Sequence, residues 1–133
     1  MIAADTSVVV AAFASWHERH DAARRALDQG LRLIEHCALE TYSVLTRLPS
    51  PHRAHGDVVR EFLNMRFPQP FLRLNAAAFR EFLWSLPARG VSGGAAYDAL
   101  VAATAADHEA ELVSCDQRAV SIYERYRVRT RVL

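Results

Sequence analysis

Apolar residues along this chain fall into two textures: short continuous runs of the kind a buried strand uses, and stripes at intervals of three and four that a helix would bury. Met1-Ile2-Ala3-Ala4, closed by Asp5, belongs to the first kind, so Met1–Asp5 is expected to be a strand. Thr6 or Ser7 can then cap a helix through Val8–Ala14. After a break at Ser15–Glu18, Asp21 opens a second helix, Ala22–Gln29, that Gly30 ends. Leu31–His36 is a second strand, and Ala38–Leu48 a helix with Leu39, Tyr42, Leu45 and Leu48 on one stripe, stopped by Pro49-Ser50-Pro51.

The second half repeats the alternation. Val58, Val59, Phe62, Leu63 and Phe67 form another helical stripe, ended by Pro68 and Pro70. Phe71–Leu74 is a short strand candidate, and Ala76–Leu86 a helix turning Phe79, Phe82, Leu83 and Leu86 inward. Pro87–Gly94 is the longest flexible stretch. Ala95–His108 follows as an alanine-rich helix, Glu111–Cys115 as a buried strand, Gln117–Glu124 as a short helix, and Tyr126–Leu133 as a final strand. Short apolar strands separated by helices predict a three-layer α/β/α sandwich on a mostly parallel sheet of four to five strands. Residues 1–133 read as one domain without repeat or linker.

Composition narrows the field more than it identifies. No segment approaches the ~20 apolar residues of a membrane span. The opening lacks a basic region and carries Asp5, so no signal peptide is expected and a cytoplasmic location is. Cys37 and Cys115 are too few for a disulfide framework and read as reduced thiols. A net charge of +1 gives no strong global pull toward nucleic acid. Every basic residue apart from histidine is Arg; without Lys, a P-loop or a Schiff base is excluded.

Four carboxylates change the picture. Asp5 and Asp116 each end a strand, Asp98 stands in the first turn of the alanine-rich helix, and Glu40 follows the second strand. In an open parallel sheet all four reach the edge beyond the carboxyl ends of the strands. Acids gathered there repel one another unless a cation sits between them, and a divalent metal answers that need.

The residues around these acids resemble the four motifs of a PIN domain, above all in the compact VapC-type toxins of bacterial toxin–antitoxin pairs. They are Ala4-Asp5-Thr6-Ser7, Ala38-Leu39-Glu40-Thr41, Tyr97–Ala105 around Asp98, and Leu112-Val113-Ser114-Cys115-Asp116. The resemblance covers nearly the whole chain. It implies a metal-dependent endoribonuclease in which Asp5, Glu40, Asp98 and Asp116 bind Mg²⁺ or Mn²⁺, hard cations suited to carboxylate and water ligands. It also implies an RNA substrate, a VapB-like antitoxin partner and a homodimer. Ser114 replaces the Thr often found in the fourth motif, and its hydroxyl is expected to support a carboxylate. Arg118 and Arg47 are the expected phosphate contacts.

Each acid taken singly has a plainer reading, as a helix cap, a solvated first-turn residue or a turn former. His17-x-x-His20 and His52-x-x-His55 lack a second pair for zinc and read as solvated. Asp107, Glu109 and Glu111 read as the exposed end of a helix and its turn. Arg125, Arg127, Arg129 and Arg131 fit protection of an edge strand slightly better than an RNA track. Phe13, Trp16 and Trp84 are expected in the core, and strand alternation should turn Cys115 toward it. A phosphatase of the haloacid dehalogenase type would need a second Asp where Ser7 stands and a later Lys. A PIN-like RNA-binding or scaffold module without catalysis is the remaining alternative, and the presence of all four acids argues against it.

Overall fold

Four short strands and seven helices alternate along the chain in the computed structural model, which describes residues 1–133. They are β1 (Ile2–Ala4), α1 (Thr6–Phe13), α2 (His20–Leu27), β2 (Arg32–Leu33), α3 (Glu35–Thr46), α4 (Gly56–Arg66), α5 (Ala76–Ser85), α6 (Ala95–Asp107), β3 (Glu111–Ser114), α7 (Gln117–Arg125) and β4 (Thr130–Val132). The sheet runs β2-β1-β3-β4 with every neighbour parallel. This is the expected α/β/α sandwich. The sheet has four strands, because Phe71–Leu74 contributes only a parallel bridge between Leu72 and Ile34. Two hydrogen bonds around Leu72 make that bridge, to Leu33 O and from Glu35 N–H. Pro70, two residues before Leu72, has no N–H to extend the ladder.

Strand length decides where the acids land. β2 stops at Leu33, and Ile34 in extended conformation caps α3, which starts at Glu35 rather than Ala38. Glu40 therefore sits in the second turn of α3, not the first. The buried face of that helix is Cys37, Ala38, Thr41 and Leu45, while Leu39 and Tyr42 of the expected stripe face outward. The small side chains win because α3 packs closely on α1, itself buried through Val8, Val9, Ala11 and Ala12. Gly30, at φ +81°, supplies the left-handed turn after α2.

The main core joins sheet and helices through Ala3, Ala4, Leu33, Ile34, Leu112 and Val113 with the buried faces of α1, α2, α6 and α7. Truncating Leu112, which is fully buried, to Ala would cost on the order of 2–5 kcal/mol. A smaller cluster of Leu74, Phe82, Leu86, Val91 and Ala99 anchors α5 and its following loop against α6. Two expected inward residues of α5, Phe79 and Leu83, are exposed, as are Trp16 and Trp84. Trp84 lies under the Arg80 guanidinium and Trp16 against the His52 ring, so each covers a polar neighbour on the surface. Phe13 is half-buried, edge-on to Phe62.

The chain goes from β1 to β2 on one side, then crosses back to β3 on the other. A parallel sheet opens a crevice at such a reversal, between the carboxyl ends of the two central strands. Asp5 follows β1 and Asp116 follows β3, side by side at that crevice.

Candidate active site

Asp5 lies at the floor of the crevice, 4% exposed. Its backbone N–H donates to Val113 O across the β1–β3 pair, which fixes the residue at the strand end. Its side chain caps α1, accepting the Val8 N–H at 3.3 Å on Oδ1. The Ser7 hydroxyl donates to the same oxygen at 2.5 Å, and the Tyr123 hydroxyl to Oδ2 at 2.9 Å. No positive side chain pairs with it. Burial pushes the Asp5 carboxyl above its ordinary range, opposed by hydrogen bonding from Ser114, Ser7, Tyr123 and Val8.

The other three acids arrive from separate elements. Asp98 comes from the first turn of α6, Glu40 from α3, and Asp116 from the N-cap of α7, where its Oδ1 accepts the Arg118 N–H at 2.9 Å. All four border one cavity of about 50 Å³, together with Thr6, Ser7, Cys37, Val101 and Tyr123. Asp98 is pushed above the usual carboxylate range, first by burial and then by the charges of Asp116, Glu40 and Asp5, with His36 opposing. Acids that raise one another in this way share a field rather than separate surfaces.

The donor set fits a hard cation. Oxygen ligands are offered without thiolate, and two of the acids have no cationic partner. No three His, Cys, Asp or Glu side chains stand grouped as ready ligands. An ion here would be held partly by water, as Mg²⁺ commonly is. Asp5, Asp98, Glu40 and Asp116 are the side chains that could hold it.

A polar cleft of about 480 Å³ opens beside the cavity, lined by His17, Glu18, Arg19, Glu40, Val44, Cys115 and Asp116 among others. A larger groove of about 530 Å³ between Leu39, Leu74, Phe79 and Leu100 is mainly apolar and carries none of the four acids.

Ser114 is buried, and its hydroxyl accepts the Asp116 N–H at 2.9 Å and lies 3.4 Å from the Ser7 hydroxyl. It thus ties the two strand-end acids together from beneath. Ser7 adds to this by accepting the Cys115 N–H at 2.8 Å. Arg118 stands at the rim with Nε 3.6 Å from Asp116 Oδ1 and its side chain 95% exposed. Arg47 is an exposed residue at the C-cap of α3 and lines neither the cavity nor the cleft. Cys115 does not turn fully into the core. It is half-buried on the cleft wall, its thiol pushed up to about 11 by burial and then by Asp5.

His17 and His20 form no metal pair: the His17 ring accepts the Arg19 N–H, and the His20 ring bonds Ala11 O. Arg131 of β4 pairs with Glu111 at 3.1 Å and donates to the Gln29 side-chain oxygen at 3.0 Å, so it is held by the fold itself. Two residues near the acids, His36 and Tyr123, stand outside the acidic motifs. His36, one turn before Glu40, has Nε2 at 3.7 Å from its Oε2 and stacks on Tyr97. Tyr123 projects from α7 into the same cavity. Its signal was present in the i, i+4 pair Ala119 and Tyr123 on the buried face of α7, since a buried tyrosine hydroxyl needs an acceptor.

This arrangement of acids at the switch point of a parallel sheet defines the class. The PIN-domain family model matches residues 2–125, and the chain belongs to that family. Within it the chain is of the VapC type. It is 52% identical over 128 residues to Ribonuclease VapC40 of Mycobacterium tuberculosis, covering 96% of each chain. It is 38% identical over 125 residues to Ribonuclease VapC27 of the same organism, covering 93% of this chain and 90% of the relative. The fold also matches the crystal structure of FitAcB from Neisseria gonorrhoeae, with a TM-score of 0.69 at 19% identity over 98% of this chain and 96% of that one. No helix is long and apolar enough to cross a membrane.

Proposed function

We propose that this protein is a Mg²⁺-dependent endoribonuclease, with Mn²⁺ as a substitute, acting as the toxin of a VapBC-type toxin–antitoxin pair in the cytoplasm. The observation that carries the reading is the meeting of Asp5, Glu40, Asp98 and Asp116 around one cavity. Likeness to two relatives named as ribonucleases supports RNA as the substrate.

Asp5, Asp98, Glu40 and Asp116 would hold the metal. When bound, such an ion lowers the pKa of a water ligand and stabilises charge developing on phosphate oxygens. The protein supplies the rest. Asp5 is locked by donors on both oxygens, so its direction is fixed before substrate arrives. Glu40, at the mouth and beside the polar cleft, is placed to orient an attacking water. Arg118 at the rim would meet the RNA backbone, where guanidinium binds phosphate bidentately, whereas Arg47, at the C-cap of α3 and outside the cleft, would reach only phosphates further along the strand. No side chain need become a covalent nucleophile.

A VapB-like antitoxin is the expected partner. Exposed Trp16 and the apolar side chains Val58 and Met65 on α4 suit its docking. Exposed Leu39 and Phe79 on the apolar groove suit a homodimer.

The test is RNA cleavage by purified variants. Asp5→Asn and Asp98→Asn should reduce metal-dependent cleavage to background while circular dichroism stays that of a folded protein. Cleavage that persists in excess chelator, or in either variant, contradicts the proposal.

A further inference from the structure

We infer that Tyr123 is a positioning residue for the acidic centre: its hydroxyl aims the one oxygen of Asp5 that keeps room for an outside ligand. This deepens the nuclease reading above and rests on it. The count of lone pairs makes the case. A carboxylate oxygen accepts about two hydrogen bonds. Oδ1 of Asp5 already accepts two, from the Ser7 hydroxyl and the Val8 N–H. Oδ2 accepts one at close range, from Tyr123 at 2.9 Å, and is the less crowded of the two oxygens.

Tyr123 is suited to hold that oxygen still. Its side chain is 2% exposed and packed in the main core. Its backbone is fixed at the end of α7, where its carbonyl accepts the N–H groups of Tyr126 and Val128. The ring is therefore held in place by its packing, with the hydroxyl directed at Asp5. It borders the same cavity as all four acids. The contact also spans 118 residues of sequence, tying α7 to the end of β1 across the floor of the crevice. A hydrogen bond that orients a metal-ligating side chain changes metal affinity as well as rate.

Tyr126 provides the matched control. It lies three residues further on, and its hydroxyl is buried with no partner. Tyr126→Phe removes an oxygen that holds nothing; Tyr123→Phe removes the one that holds Asp5. Mg²⁺ is titrated calorimetrically into the wild type and both variants, and the Mg²⁺ dependence of RNA cleavage is separated into half-saturation and limiting rate.

Tyr123→Phe should weaken Mg²⁺ binding about 10- to 100-fold and raise the half-saturating Mg²⁺ by a similar factor, with a smaller effect on the limiting rate. Tyr126→Phe should match the wild type in both. Equal Mg²⁺ affinity in the two variants would overturn the inference and leave the nuclease reading standing. A wild type that takes up no Mg²⁺ would overturn both. Should Tyr123→Phe fail to fold, the intact protein still answers. The Tyr123 hydroxyl proton, hydrogen-bonded to Asp5, should give an NMR resonance that moves when Mg²⁺ is added, and a resonance indifferent to Mg²⁺ would refute the assignment.

Discussion

Asp5 and Asp116 end neighbouring parallel strands, and each caps the helix that follows, yet only Asp5 is sealed from water. Asp5 accepts two hydroxyls and an amide from within the fold. Asp116 accepts the Arg118 amide and faces an exposed guanidinium, its side chain 38% exposed. The same local device, an aspartate between strand and helix, thus serves at two depths. At the floor the carboxylate is preorganised and desolvated, so the fold and the proposed chemistry would depend on it together. At the rim it is screened by water.

The largest expected difference is in stability. Asp5→Ala removes a helix cap and also orphans the buried Tyr123 hydroxyl, at about 1–3 kcal/mol for a buried donor left unpaired. Asp116→Ala removes a cap alone, worth about 1 kcal/mol. Urea unfolding of the metal-free variants should therefore rank Asp5→Ala well below Asp116→Ala, and equal midpoints would remove the distinction between floor and rim.

A pH series sharpens the contrast without mutation. Asp5 and Asp98 are both pushed above the ordinary carboxylate value near 3.8, burial first in each case. The folded protein then holds protons that the unfolded chain has released. Metal-free stability should rise as pH falls from neutral through the raised values, and stop rising below about 3.8. Asp98→Asn should flatten part of that slope. A metal-free protein that grows steadily less stable on acidification from pH 7 would contradict the crowding of the acids.

The rim should matter least to the fold and most to RNA. Arg118→Ala should leave Mg²⁺ binding and unfolding unchanged. If it meets one phosphate, the slope of log affinity against log salt should fall by about 0.7 for single-stranded RNA. An unchanged slope would place the RNA path elsewhere.

How much of this could be read along the chain follows from the same contrast. Asp5 and Asp116 were legible because each closes an apolar run at a strand end, and Asp98 because it opens an alanine-rich helix. Glu40 was found, but its place in α3 was shifted, since β2 keeps only Arg32–Leu33 and the helix starts early. The outward faces of α3 and α5 were misjudged through Leu39, Tyr42, Phe79 and Leu83. Periodicity ranks faces by hydrophobicity, whereas here packing selected the smaller side chains Cys37, Ala38 and Thr41. Tyr123 and His36 were missed because their partners lie across the fold or one helical turn away, where a linear pattern of acids gives no hint of them.

A Mg²⁺ titration by calorimetry bears most directly on the shared centre. The wild type should bind Mg²⁺ saturably, and the double variant Asp5→Asn with Asp98→Asn should give no heat beyond dilution. A double variant that binds as the wild type does, or a wild type that cleaves RNA while taking up no metal, would contradict the account.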